Sequence, residues 1–321
     1  MSEFDLIARI RARARSRSDV IAGIGDDAAL LQVPSGMRLV VAMDTLNEGV
    51  HFPAGTRPAD IGWKSLAVNL SDLAAMGAQP AWCTLSLSLP TAEGGWLDAF
   101  LDGFFDLAER HGIALVGGDT TRGPLSVCVT AHGFVGEGKA LLRSGAKPGD
   151  DLWVSGTLGD AAAALAQWRN GVDVVPALKA RLDRPDPRMS LGLALAGIAN
   201  AAIDVSDGLL ADAGHLCAQS GVGAEIEIEA LPRSDALRGA FDSDACRILQ
   251  AAGGDDYELC FSASPNARAV VQAGADRAAT PVSRIGRIVA AGGVRALLPD
   301  GRDWTSKRPG YAHFADDGRI L

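Results

Sequence analysis

Apolar and polar positions along this chain switch repeatedly between two periods. Residues 2–15, opened by Ser2, carry helical spacing. "MRLVVAM" at 37–43 is a short apolar run of strand length. Pro58 opens a helix that contains "NLSD", and Leu85, Leu87 and Leu89 in "AWCTLSLSL" (81–89) alternate as in a strand. "GWLDAFLDGFFDLAERHG" is a helix closed by Gly112, followed by the strands "IALVG" and "LSVCVTAHGFV". The Gly and Pro of "RSGAKPGD" (143–150) mark a linker or long turn.

The second half restarts with the strand "DLWVSG". Helices are expected near 159–169, 174–182 and 188–200. "AAIDVSDGLLADAGHL" reads as a strand, a turn and a helix. "VGAEIEIEA" places Ile226 and Ile228 inward and Glu225, Glu227 and Glu229 outward. A helix near 244–251 leads to the strand "YELCFSA". A further helix, strands near 281–289 and 293–298, and an aromatic tail "GYAHF" complete the chain. This order predicts an α/β or mixed α+β protein with two sandwich-like halves, an N-terminal domain at 1–142 and a C-terminal domain at 143–321.

Composition leaves that picture in place. Hydrophobic residues make up 48% and charged residues 21%, as in ordinary globular proteins. A net charge of −9 argues against a nucleic-acid binder. No apolar run reaches the roughly 18 residues of a membrane span, and "MSEFDLIARI" lacks the apolar core of a signal peptide. The five cysteines, Cys83, Cys128, Cys217, Cys246 and Cys260, are scattered and read as reduced, buried thiols of a cytoplasmic protein. The arginines of "ARIRARARSRS" (8–18) would spread around a helix and read as a solvated helix end.

The candidate chemistry lies in segments that set acids beside glycines or small polar residues. These are Asp26 and Asp27, Asp44 and Thr45, Asn69 and Asp72, Asp119 to Thr121, and Asp204, Ser206 and Asp207. "GGDDYE", with Asp255, Asp256 and Glu258, is a candidate sixth. Most are expected at strand ends, where α/β proteins place their sites. Two carboxylates at 4 Å repel by about 4 kcal/mol at an effective dielectric of 20. Lys64, Arg122 and Arg143 are too few to neutralise such a cluster. Metal ions would. The chain has no HExxH, CxxC or histidine pair at ligand spacing, so an all-oxygen Asp, Ser, Thr and Asn set suits Mg²⁺ or Ca²⁺ better than zinc. Magnesium commonly shares its shell with substrate phosphates. Asn69 and Asp72 are therefore expected to face metal while the apolar side of their helix packs inward. No P-loop, protein-kinase, dinucleotide-binding or nucleophile-elbow motif is present.

Taken in order, "GIGDDAALL", "MDTLNEGVHF", "KSLAVNLSDLAAMGAQPAW", "LVGGDTTRGPLS", "RSGAKPGDDLWVSGTLGDAA", "AIDVSDGLLADAGHL" and "GGDDYELCFS" resemble the thiamine-monophosphate kinase family. That family lies in the superfamily of aminoimidazole ribonucleotide synthetase. The resemblance implies two α/β domains and a homodimer formed through N-terminal strands. It implies transfer of the γ-phosphoryl of ATP to thiamine monophosphate, with several Mg²⁺ ions and no dedicated catalytic base. Asp27, Asp44, Asp72, Asp119, Asp204 and Asp207 would then be metal ligands. Gly118, Asp119, Arg143 and Ser206 would hold ATP, and His51, Asp255 and Tyr311 would contact thiamine monophosphate. The chain departs from the family at Ala42 and Met43, where relatives carry Ser-Thr, and at Asp255, where they carry Glu. The alternatives are another ATP-dependent enzyme of the superfamily and a non-catalytic magnesium-nucleotide-binding protein.

Overall fold

The computed structural model describes residues 3–305; Ser2, Tyr311 and the "GYAHF" tail lie outside them. The chain divides into two compact units. One comprises the chain up to Leu73 with Ala78–Gly138, the other Ala74–Gly77 with the chain from Lys139 onward.

The first unit holds helix α1 (Glu3–Arg13) and strands β1 (Val20–Ala22), β2 (Leu30–Leu31) and β3 (Met37–Asn47). Helix α2 (Pro58–Ala75), strand β4 (Gln79–Leu89), helix α3 (Gly94–His111) and strands β5 (Ala114–Arg122) and β6 (Ser126–Gly136) follow. Strands β3-β6-β4-β5 form one sheet in that order, with only β4 and β5 parallel. One face, bearing Leu85, Leu87, Val127, Val129 and Ala131, is fully buried. Helices α2 and α3 approach so closely that a Cβ on Gly62 would meet the Phe100 carbonyl at 2.0 Å. The opposite face is covered only at one end, where Val20, Ala29 and Leu31 pack on Trp82 and Phe134. Beyond that, Leu39, Val41 and Met43 stand exposed on the edge strand β3.

Arg9 and Arg11 of α1, and Arg15 just beyond it, are exposed, as expected of a solvated helix end. Arg9, Arg13 and Arg15 pair with Asp98, Asp102 and Glu109 along α3. The acidic face of α3 thus collects them on one side.

The second unit begins with β7 (Asp151–Ser155), α4 (Asp160–Arg169), α5 (Pro176–Asp183) and α6 (Met189–Leu195). Next come β8 (Ala201–Val205), α7 (Leu209–Ser220), β9 (Gly223–Glu227), α8 (Asp235–Ala240) and α9 (Ser243–Ala252). Strand β10 (Glu258–Ala263), helix α10 (Arg268–Arg277) and strands β11 (Val282–Val289), β12 (Gly293–Leu297) and β13 (Asp303–Trp304) complete it. The seven-stranded sheet runs β13-β12-β9-β11-β7-β10-β8. Its main core joins Leu152, Val154, Ile203, Val205, Ile226 and Cys260 to Leu209, Leu216 and Cys217 of α7. Two expectations shorten: α6 stops at Leu195, and β9 stops at Glu227. Ile228 is still buried, but within a short 3-10 turn.

All five cysteines are free. Four are buried as expected, whereas Cys128 is half-buried because it faces the open side of the first sheet.

Candidate active site

Asp44 lies within β3, not at its end. Its backbone N–H donates to Asn69 Oδ1 at 3.1 Å. Asn69 Nδ2 in turn donates to the Ser65 carbonyl at 3.0 Å, and Ser65 Oγ donates to the Gly62 carbonyl at 3.0 Å. Asn69 is fully buried. The polar stripe of α2 is therefore not a row of ligands: Asn69 clamps the strand that carries Asp44. This corrects the expectation that Asn69 faces metal. Asp72, one turn further along α2, remains half-buried.

Register places the remaining acids of this unit. Asp44 pairs with Val129, Val129 with Leu85, and Leu85 with Gly118. Directly paired residues share a face, so the Asp44 side chain points to the buried, α2-covered side. Thr45, Cys128, Ser86 and Asp119 form the next row and point to the open side. Asp44 and Asp119 thus sit on opposite edges and opposite faces, three strand spacings or about 14 Å apart along the sheet. One copy of this sheet does not bring them together. Ala42 shares the Asp44 face, whereas Met43 points to the open side with Thr130. Gly118 has φ 149° and a Cβ there would meet the Leu85 carbonyl at 1.8 Å, so only glycine fits. Asp27 is exposed in the loop between β1 and β2.

His51 closes a turn. Its N–H donates to the Asn47 carbonyl at 3.0 Å, and its Nδ1 accepts the Asn47 N–H at 3.0 Å. A backbone N–H can only donate, so Nδ1 is unprotonated, and a neutral ring carries its hydrogen on Nε2. Buried Lys64 donates to the His51 carbonyl at 3.0 Å. That lysine holds a turn.

In the second unit, Asp204 is buried within β8, and Ser206 and Asp207 occupy the turn before α7. One oxygen of Asp212 accepts three backbone N–H groups, from Ser206 at 3.0 Å and from Asp207 and Gly208 at 3.1 Å each. Burial, then the charges of Asp204 and Asp207, push the Asp212 carboxyl up to about 7. Sequence reasoning passed over Asp212, although an acid in the first turn of a helix after "SDG" is a legible signal. Arg143 is exposed, and its carbonyl accepts the Ser220 hydroxyl at 2.9 Å.

The "GGDDYE" segment divides between two roles. Asp256 and Glu258 are fully buried and serve the fold. Asp256 accepts the Gly159 N–H at 2.8 Å, and burial holds its carboxyl well above the usual carboxylate range. Glu258 accepts two hydrogen bonds from Arg188, at 2.7 and 2.6 Å, one from Arg181 at 2.7 Å, and one from Ser155 Oγ at 2.5 Å. Burial alone would raise its carboxyl; the bonds and charge of Arg188, then Arg181 and Ser155, hold it below the ordinary glutamate range. Asp255 is half-buried and tied to the "VSDG" turn by its N–H, which donates to the Ser206 carbonyl at 2.8 Å.

Among the described residues, no three His, Cys, Asp or Glu side chains are grouped so as to hold a metal by themselves. The donor chemistry nonetheless fits magnesium. The candidates are carboxylates, and Asp204 and Asp207 lie close enough to Asp212 for their charges to raise its proton affinity. Magnesium completes its octahedron with water and phosphate, so it does not require a closed protein cage.

The N-terminal domain model of AIR synthase related proteins matches residues 25–135, and the C-terminal domain model matches residues 147–298. The thiamine-monophosphate kinase of Escherichia coli (strain K12) is 47% identical over 98% of each chain. This chain belongs to the thiamine-monophosphate kinase family. The crystal structure of thiamine-monophosphate kinase from Stenotrophomonas maltophilia K279a is 57% identical, covers 92% of this chain and 96% of its own, and superposes with a TM-score of 0.86. AaThiL complexed with AMPPCP and TMP is 33% identical over 97% of this chain and 96% of that one, with a TM-score of 0.77. The family's two-domain mixed α/β fold is the fold of this protein.

Proposed function

We propose that this protein phosphorylates thiamine monophosphate with ATP, yielding thiamine diphosphate and ADP by direct γ-phosphoryl transfer. Near full-length identity to thiamine-monophosphate kinases carries the reading. The acceptor is an ionised phosphate, so the chemistry asks for positioning and charge neutralisation in place of a general base.

Asp27, Asp44 and Asp72 in the first unit, and Asp204 and Asp207 in the second, would hold magnesium ions; Asp119, on the opposite sheet face from Asp44, would hold a separate ion. Bound magnesium would neutralise the phosphate charge and brace the reacting oxygens. The chain's own residues prepare for this. Asn69 fixes the backbone of Asp44, and Asp212 fixes that of Ser206 and Asp207. Gly118 allows close backbone approach, and Arg143 and Ser206 would meet ATP. His51 and Asp255 would meet the thiamine substrate; Tyr311, assigned the same role from sequence, lies outside the described residues.

The open sheet supports a homodimer. Exposed Leu39, Val41 and Met43, with half-buried Cys128 and His132 beside them, form a face that a second copy would cover. Asp119 shares that face. No described helix is long and apolar enough to cross a membrane. Four buried free thiols support a cytoplasmic setting.

The test is incubation of purified protein with ATP, MgCl₂ and thiamine monophosphate, with separation of the thiamine phosphates and an EDTA control. Metal-dependent appearance of thiamine diphosphate is expected. ATP binding without that product would overturn the reading in favour of a nucleotide-binding protein or another superfamily enzyme.

A further inference from the structure

Three non-glycine residues among those described have positive φ, and two of them flank one buried carboxylate: Asp255 at 68° and Tyr257 at 50°, on either side of Asp256. Side chains rarely adopt this conformation, because the Cβ crowds the backbone. It persists here because the segment is fixed from several sides. Asp256 is held by the Gly159 N–H, and Glu258 by Arg181, Arg188 and Ser155. The Asp255 N–H bonds the Ser206 carbonyl and the Tyr257 N–H bonds the Val205 carbonyl, both at 2.8 Å. Gly254 lies so near the Ser206 carbonyl that a Cβ would approach it to 2.6 Å.

The consequence is local. In a regular strand, residues two apart share a face but their side chains run parallel. The two left-handed turns fold the Tyr257 ring back, and its hydroxyl donates to Asp255 Oδ1 at 3.0 Å. The ring itself is buried. Asp255 thus combines a fixed backbone with a fixed carboxylate.

We infer that Tyr257 is a positioning residue: its hydroxyl orients the Asp255 carboxylate and so sets affinity for the thiamine substrate without touching it. This rests on the reading of Asp255 as a thiamine contact. The bond matters more here than it would for Glu, since Asp255 has one fewer methylene with which to reach the ligand.

Three variants test it: Tyr257→Phe, Asp255→Ala and the double variant, each assayed for the KM of thiamine monophosphate and of ATP, with thermal melts as the folding control. Tyr257→Phe keeps the ring and backbone and removes one hydrogen bond. It is expected to raise the thiamine monophosphate KM by about five- to tenfold, the range for one lost hydrogen bond. The ATP KM should stay within about twofold, and in the Asp255→Ala background the same change should add nothing. Equal shifts in both KM values, or additive effects in the double variant, would overturn the inference while leaving the Asp255 reading intact. An unchanged thiamine monophosphate KM in Asp255→Ala would remove both.

Discussion

The side-chain carbonyl of Asn69 accepts the backbone N–H of Asp44 at 3.1 Å, joining a buried helix position to an edge strand. Replacing Asn69 with Ala leaves that N–H and the Ser65 carbonyl without this partner. The expected cost is about 1–3 kcal/mol of stability. The larger effect should be on the Mg²⁺ concentration for half-maximal turnover, which should rise as Asp44 loses its fixed backbone. Urea denaturation and a magnesium titration of activity check the two parts separately.

Asp72→Asn and Asp207→Asn should each abolish turnover with the fold retained. Both side chains are half-buried, and Asn preserves their volume. Full activity in either variant, at a circular dichroism spectrum matching wild type, would show that the carboxylate set is misassigned.

Glu258 predicts a pH signature. Its carboxyl is depressed in the folded protein, so its stabilisation is complete above its ordinary value of 4.5 and is lost as pH falls through the folded value. Glu258→Gln should cost about 3–5 kcal/mol near neutrality, because Arg181 and Arg188 lose their buried counter-charge. The gap between wild type and variant, followed by urea denaturation from pH 7 downward, should narrow below about 4.5. A gap that widens in acid would contradict the assignment.

Gly118 and Gly138 form a matched pair. Both have positive φ, but a Cβ at Gly138 would meet nothing within 4 Å, whereas one at Gly118 would strike the Leu85 carbonyl. Gly138→Ala should cost about 1 kcal/mol and leave activity unchanged. Gly118→Ala should disturb the β4–β5 pairing beside Asp119 and sharply reduce kcat. Comparing the two by melting temperature and kcat separates backbone strain from the clash.

Thiol labelling probes the open sheet. Burial raises the thiols of Cys83, Cys217 and Cys260, whereas Cys128 is half-buried on the open face. A maleimide reagent should modify Cys128 first. If a second copy covers that face, its rate should fall as protein concentration rises. A rate independent of concentration, with a monomer in sedimentation, would remove the dimer.

Much of this was legible in the sequence because period and turn chemistry agreed. Helix α3 ends at Gly112 in the left-handed conformation, and Pro58 begins α2, as read from the residues themselves. The short elements β1, β2, β13 and α8 were not legible, since two to six residues give no period to detect. Strand β3 runs on to Asn47 because its partner β6 continues opposite it, which is tertiary information. The acids were found, but not their faces. Asp44 and Asp119 read alike along the chain, and only strand order sets them on opposite sides. Nor does composition distinguish a proposed ligand such as Asp72 from a clamp such as Asn69, because each is a short polar group on the same helix.

The start of α7 illustrates a different economy. Helix N-termini commonly seat phosphate on their unpaired N–H groups. Here one oxygen of Asp212 takes up the N–H groups of Ser206, Asp207 and Gly208 in the turn that enters the helix, so the protein has set a carboxyl group of its own beside that seat. A triphosphate arriving beside Asp204 and Asp207 would meet repulsion before attraction. Cation dependence is thereby built into the acids of this turn: metal-free ATP should act here as a poor ligand and not as a competitor of the magnesium complex.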